Sequence, residues 1–248
     1  MIALIRYGLP TNARTYLAQR SFDIESTTFA QRRERSDSLW QNKNRERMTE
    51  VRDTLRLMCS GNQRCMYCED SAATDIDHFR PRSTSPLLTF AWENYLLACS
   101  MCNSNFKHQE FPCGPSGDPY LIDPTVEDPA TLLIFSPSTG RYEPISGSTK
   151  AVESLRVFGI NRPLLQTARR DAWRLFQLII VAYGAAISNS ENERAQQVAQ
   201  IAQRQPLAGV LRALVMQETN IGVDLIDPDC RRAIDELPEV QAWIAPIP

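Results

Sequence analysis

The chain lacks any apolar stretch long enough to cross a bilayer. Its longest, LIIVAYGAA at 178–186, falls far short of the roughly 20 residues that a spanning helix needs. The opening MIALIRYGLPTNARTYLAQR has neither an extended apolar run nor a small-residue cleavage site, so it does not read as a secretory leader. Both deficits point to a cytoplasmic protein with no membrane segment. Surplus positive charge is missing too: 27 Lys and Arg face 29 Asp and Glu, for a net charge of −2. A broad phosphate-binding surface normally needs a basic excess, so composition alone gives no nucleic-acid signal. The basic residues do cluster, in QRRER (31–35), KNRER (43–47), RPR (80–82) and the pairs 169–170 and 231–232, which allows local positive faces. Histidine is scarce, with only His78 and His108. No internal repeat or low-complexity segment is present.

What remains is an ordinary globular composition, 43% hydrophobic and 23% charged over 248 residues. That length suits one domain with appendages or two small ones. Three segments are expected. Residues 1–60 form an N-terminal arm, irregular or partly helical up to residue 35, then a helix from Ser36 to about Leu57 capped by Ser36 or Asp37. Residues 61–115 are short, turn-rich and punctuated by cysteine. After the hinge PCGPSGDP (112–119), residues 116–248 hold a hairpin, TLLIF and RYEPI around SPSTG, and then a helical region. Pro163 suits a first helical turn and Gly159 a helix end. In the helix after Pro163, Leu165, Ala168, Ala172, Leu175, Phe176, Ile179 and Tyr183 form an apolar stripe facing a core, with Arg169, Arg170 and Arg174 mostly off it.

Seven cysteines is an odd number, and four of them fall in two C-x-x-C pairs, Cys65/Cys68 and Cys99/Cys102. Two such knuckles about thirty residues apart supply the four thiolates of a closed, tetrahedral structural zinc site. Such a site leaves no open coordination position, so it would hold the fold and perform no chemistry. Cys59, Cys113 and Cys230 lack this spacing and read as core or incidental residues.

Between the knuckles lies DIDHFRPRS (75–83). Its alternation suits a short strand with Asp75 and Asp77 on one face and Ile76 and His78 on the other. The second knuckle leads into a short helix carrying Asn103 and Lys107. Packed together, strand and helix let Asp77 and Asn103 offer oxygens to one hard divalent cation, Mg²⁺ or Mn²⁺, with the His78 imidazole beside it. A near-neutral base next to a divalent metal is what hydrolysis of a phosphodiester by water requires.

This set resembles the HNH (ββα-metal) endonucleases. Their pattern is carried here by Cys65/Cys68, Asp77-His78-Phe79-Arg80-Pro81, Asn94, Cys99/Cys102 and Asn103. The resemblance makes His78 the general base, Asn94 the residue bracing the loop and base, and Asp77 and Asn103 metal ligands. Lys107 lies one residue later than the commonest family spacing. Asp75, Arg80, Arg82 and His108 are additional candidates: a partner of the metal or His78, two phosphate clamps, and a further ligand or phosphate contact. The stretch from Leu121 to Trp173 is similar to the HNH proteins that serve as nuclease subunits in Septu and some retron-linked antiphage systems. That resemblance implies an α+β, mainly α fold built on a zinc-stapled ββα-metal module. It also implies cleavage of DNA, or alternatively RNA, and an ATPase partner. The apolar residues of GVLRALVMQ and VQAWIAPIP, together with Phe22, Phe29 and Trp40, are the candidate docking surfaces for that partner. The competing readings are a non-cleaving zinc-stapled adaptor and a standalone restriction enzyme.

Overall fold

Pro10 ends an extended start, and the glycine-free run that follows winds into α1 (Thr11–Glu25). The structure, a computed structural model, describes residues 1–217 and 225–244. The arm is therefore far more helical than its weak periodicity suggested. After a short 3₁₀ turn come α2 (Arg32–Gln41) and α3 (Arg45–Met58). The single helix expected from Ser36 to Leu57 is in fact broken at Asn42–Asn44. Asn44 is extended, and its side-chain oxygen accepts the Arg47 N–H at 3.0 Å. This is how a polar side chain satisfies an otherwise unpaired N-terminal amide. Neither expected cap is one: Ser36 is buried inside α2 and donates to the Arg33 carbonyl, while Asp37 pairs with Arg82.

The middle of the chain is a two-stranded antiparallel hairpin, β1 (Asp75–His78) and β2 (Tyr95–Ala98), registered Asp75↔Ala98 through His78↔Tyr95. The expected short helix follows, but it is a seven-residue π-helix, Met101–Lys107. A second hairpin, β3 (Leu133–Ser136) with β4 (Arg141–Pro144), lies where the TLLIF and RYEPI strands were expected.

The C-terminal region is helical: α4 (Thr149–Val157), α5 (Pro163–Ser188), α6 (Asn192–Arg204), α7 (Ala208–Val215), α8 (Pro228–Glu236) and α9 (Pro238–Ala242). Helix α5 is its axis, packed against α6, α7 and α8. Leu165, Ala172, Phe176, Ile179 and Tyr183 are buried, as their spacing requires. Two residues depart from the expected stripe. Leu175 is 43% exposed, whereas Arg169, expected on the outer face, is only 1% exposed. Its guanidinium donates to the Gly140 carbonyl at 3.2 Å and lies 4.7 Å over the Tyr142 ring, so its charge is buried against partners from the second hairpin.

The C-terminal docking surfaces also need correction. Val210, Leu211, Leu214 and Val215 of GVLRALVMQ, and Val240 and Trp243 of VQAWIAPIP, are buried in the chain's own core. Residues 245–248 lie outside the described residues. Among the described residues no helix is long and apolar enough to cross a membrane.

The connection between α4 and α5 presses on the first hairpin's helix. Gly159 has φ +58°, and a Cβ placed there would lie 2.4 Å from the Phe106 ring of the π-helix. Alanine at this position meets both a disfavoured backbone and a clash. Gly159→Ala is expected to lower the unfolding free energy by at least ~1–2 kcal/mol, measured as a lower urea midpoint at unchanged slope.

Candidate functional site

The four C-x-x-C cysteines bracket the first hairpin: Cys65 and Cys68 precede β1, and Cys99 and Cys102 follow β2. Their sulfurs lie within 4.8 Å of one another and all four residues are buried, with Cys68 and Cys99 3.9 Å apart. Four thiolates around a zinc with bonds of ~2.3 Å lie about 3.8 Å apart along each edge, so the cluster fits that ion. Surrounding backbone supports the knuckles. The Cys102 N–H points at the Cys99 sulfur at 3.4 Å, and the Cys65 N–H donates to the Ser71 carbonyl. The Arg162 guanidinium, at the start of α5, reaches the Cys102 sulfur at 3.6 Å. Without a metal the four thiols cannot all ionise. Hydrogen bonds from neighbouring thiols, Cys102 foremost, hold Cys68 low, while burial holds Cys65 protonated. Cys59 and Cys230 are buried singly and Cys113 is exposed.

Strand β1 carries His78 to the floor of a cleft of about 350 Å³ that is also lined by Arg33, Asp37, Trp40, Asp77, Arg82, Asn103 and His108. His78 is buried, and its Nε2 lies 2.9 Å from the Thr89 carbonyl oxygen. A carbonyl can only accept, so Nε2 carries the hydrogen and Nδ1 is the basic nitrogen. Burial is the main force pushing the His78 pKa down to about 3. The cations Arg82, Lys107 and Lys43 push the same way, against the Thr89 carbonyl. The ring is thus neutral near pH 7. Trp40 packs against it edge-on, with centroids 4.4 Å apart, and Tyr95 lies at 5.2 Å.

Asn94 ties the loop after His78 in place. Its side-chain oxygen accepts the Arg80 N–H at 2.8 Å, and its amide group donates to the carbonyls of Arg80 and Leu88. Loop 80–89 is therefore fixed at three points, and it carries the Thr89 carbonyl that orients His78.

Asp77 is buried, and each of its oxygens has a partner. The Lys107 ammonium donates to one at 2.9 Å and the Tyr67 hydroxyl to the other at 2.5 Å. Lys107 also donates to the His78 carbonyl at 2.7 Å. Burial raises the Asp77 carboxyl above the usual carboxylate range, and the Lys107 charge pulls it back. Lys107 ends the π-helix, whose hydrogen bonds close over one residue more than those of an α-helix, and it lies inward, where it is 1% exposed.

The other candidates are held more loosely. Asn103 is half-buried at the cleft, with its amide nitrogen 3.5 Å from the Asp75 carboxylate. His108 is exposed at the cleft edge with φ +46°. Arg82 is paired with Asp37 at 2.7 Å, and Arg80 lies 4.9 Å over the Phe111 ring. Three contacts were invisible to sequence reading: Trp40 against His78, Thr89 on its Nε2, and Tyr67 on Asp77. All three are tertiary contacts with no local signature. A tryptophan on a helix reads as core wherever it points.

No family model matches the chain. It is similar to Septu protein PtuB of Bacillus mycoides (strain KBAB4), 28% identical over 148 residues, which are 48% of this chain and 49% of that protein. It is also similar to Septu protein PtuB of Bacillus thuringiensis, 32% identical over 84 residues, 32% of this chain and 31% of that protein. The chain thus spans about half the length of the first relative and about a third of the second.

Two outcomes follow. Metal analysis of purified protein should find about one zinc per chain, and Cys65→Ser or Cys99→Ser should remove both the zinc and the cooperative thermal transition. Removing one partner of a buried ion pair leaves the other uncompensated, at a cost of roughly 3–5 kcal/mol. Lys107→Met should therefore destabilise by about that amount in chemical denaturation, and Lys107→Met combined with Asp77→Asn should recover much of the loss.

Proposed function

We propose that this chain is a metal-dependent HNH-type endonuclease that hydrolyses phosphodiester bonds, DNA rather than RNA being the favoured substrate. The observation that carries the reading is the state of His78. Its Nε2 is engaged by a backbone carbonyl, so a single unprotonated nitrogen is left on a ring that lines an open cleft. Fixing one tautomer in this way prepares the other nitrogen to accept a proton from water. The depressed pKa keeps the ring unprotonated until substrate arrives. A phosphate's negative charge beside it favours the protonated form, so proton affinity rises when the proton has to be taken.

Asp77 and Asn103, which line the same cleft, are the residues we assign to a divalent cation. Oxygen donors suit Mg²⁺ or Mn²⁺. Each Asp77 oxygen has two lone pairs, of which its hydrogen bond to Lys107 or Tyr67 uses one. The bound cation would supply charge stabilisation for the pentavalent phosphate and the departing oxygen. Lys107 holds Asp77 and the His78 backbone together, so metal ligand and base share one anchor. Asn94 maintains the loop that orients the base. Arg82 lines the cleft and is assigned to a phosphate, with Arg80 on the same loop as a second candidate; His108 lines the cleft edge, and Asp75 reaches it through Asn103.

We assign residues 61–115 as the nuclease module, bounded by an N-terminal arm (1–60) and a C-terminal region (116–248). The similarity to Septu protein PtuB supports a place in antiphage defence, and we propose that the chain acts there in the cytoplasm with an ATPase partner.

The decisive test is nicking of supercoiled plasmid and cutting of labelled RNA, with Mg²⁺ or Mn²⁺, by wild type and by His78→Ala. Wild type should cleave. His78→Ala should lose at least a hundredfold in rate while keeping its zinc and its melting transition. Asn103→Ala should raise the Mg²⁺ concentration needed for half-maximal rate. Cleavage by His78→Ala at the wild-type rate would end the assignment of the base.

A further inference from the structure

The four clustered cysteines lie early in the chain, yet a segment from far along it closes over them. This segment is the elbow between α4 and α5, residues 158–162. The Phe158 ring stacks on Tyr67, which stands between Cys65 and Cys68, at a centroid distance of 4.0 Å. Gly159 packs so closely on Phe106, in the helix that carries Cys102, that a Cβ there would clash with the ring. The Arg162 guanidinium donates to the Cys102 sulfur at 3.6 Å and to the Gly159 carbonyl at 3.1 Å. Its centre also lies 5.7 Å from the Phe106 centroid. One elbow therefore touches both knuckles, and its cation is aimed at a ligand sulfur.

The position of that cation is built rather than a chance rotamer. Arg162 is half-buried and forms the extended N-cap of α5. Its neighbour Asn161 accepts the Tyr142 N–H at 2.9 Å and donates its amide to the Tyr142 carbonyl at 2.7 Å, which ties the elbow to the second hairpin. Charge supplies the reason for such an arrangement. Four thiolates around one Zn²⁺ leave two negative charges in excess, and here all four cysteines are buried. A buried charge is costly unless it is paired and hydrogen-bonded. The Cys102 N–H that points at the Cys99 sulfur is a neutral donor, whereas Arg162 brings a full positive charge. Burial works against that charge, but Cys102 and then Cys68 outweigh it, so the Arg162 pKa lies above its ordinary value.

We infer that Arg162 is an outer partner of the zinc site, whose guanidinium offsets the negative charge carried by the Cys102 thiolate. Groups that hydrogen-bond to metal ligands set both the affinity for the metal and the electron density on the ligand. Tight zinc binding then needs the start of α5 as well as the two knuckles, and residues 61–115 are not a complete metal-binding unit. The inference rests on the zinc reading of the four cysteines and is independent of the nuclease reading.

The experiment measures zinc affinity of the full chain by competition with a chromophoric chelator, together with absorption spectra of the cobalt-substituted protein. Arg162→Gln should bind zinc roughly ten- to a hundredfold more weakly than wild type. Its thiolate-to-cobalt charge-transfer band should move to longer wavelength, because a thiolate that loses a positive neighbour gives up an electron more readily. Arg162→Lys keeps the charge but not the fork that reaches sulfur and carbonyl together, so its affinity and band should fall between the other two. Gly159→Ala disturbs the same elbow and keeps the guanidinium; it should lower the urea midpoint and leave the band in place. Wild-type affinity with an unmoved band in Arg162→Gln would overturn the inference. So would a band displaced as far by Gly159→Ala, which would make Arg162 an anchor of the turn alone. Should Arg162→Gln fail to fold, Arg162→Lys decides, and a band at the wild-type position overturns the role. A wild type that takes up neither zinc nor cobalt would remove the zinc reading itself.

Discussion

A hairpin of two four-residue strands is too small to hold itself together in water, so everything at the cleft depends on what closes its ends. The four cysteine sulfurs do this. One pair precedes β1 and the other follows β2, and bringing the pairs together fixes the register that sets His78 opposite Tyr95. The closure also fixes the start of the π-helix at Met101, and with it the reach of Lys107 back to Asp77. Larger elements then press on this small frame. Phe158 stacks on Tyr67 at 4.0 Å, Phe106 fills the space above Gly159, and Trp40 covers His78. Each comes from a different part of the chain, so the cleft is assembled by several parts of the fold, as its own lining from Arg33 of α2 to His108 also shows.

The most legible parts of the sequence were those in which chemistry imposes a spacing. Cysteines at i and i+3 announce a knuckle, and two knuckles announce a cluster. Strand alternation placed Asp75 and Asp77 together, and the second hairpin followed from apolar runs around a Ser-Pro-Ser-Thr-Gly turn. The positions of Asn94, His78 and Asn103 around one loop and one cleft were likewise approachable from a motif. Illegible parts were those decided by distant neighbours. Arg169 reads as an outward-facing charge until the second hairpin supplies a turn carbonyl from Gly140 and the Tyr142 ring of β4 to receive it. The break between α2 and α3 depends on the Asn44 side chain outcompeting helix continuation, a difference of about 1 kcal/mol. The apolar residues of α7 and α9 could serve a partner or the chain itself with equal economy, and only their burial decides for the chain.

The cleft also shows why a net charge is a poor guide to what a protein touches. Charges act over about a Debye length, roughly 8–10 Å near physiological salt, so a ligand responds to the groups around it and not to the sum. Here acids predominate in residues 59–248, while residues 1–58, from which Arg33, Asp37 and Trp40 reach the His78 cleft, carry a positive excess. Burial is the main force that holds the His78 ring neutral, and the cations Arg82, Lys107 and Lys43 add to it.

The π-helix also sets how little length change the cleft can tolerate. Adding or removing one residue in a helix rotates everything downstream by about 100° relative to the turn before it. Between Asn103 at the cleft and Lys107 beneath it, a one-residue deletion would swing the ammonium away from Asp77 and the His78 carbonyl while leaving the knuckle upstream in place.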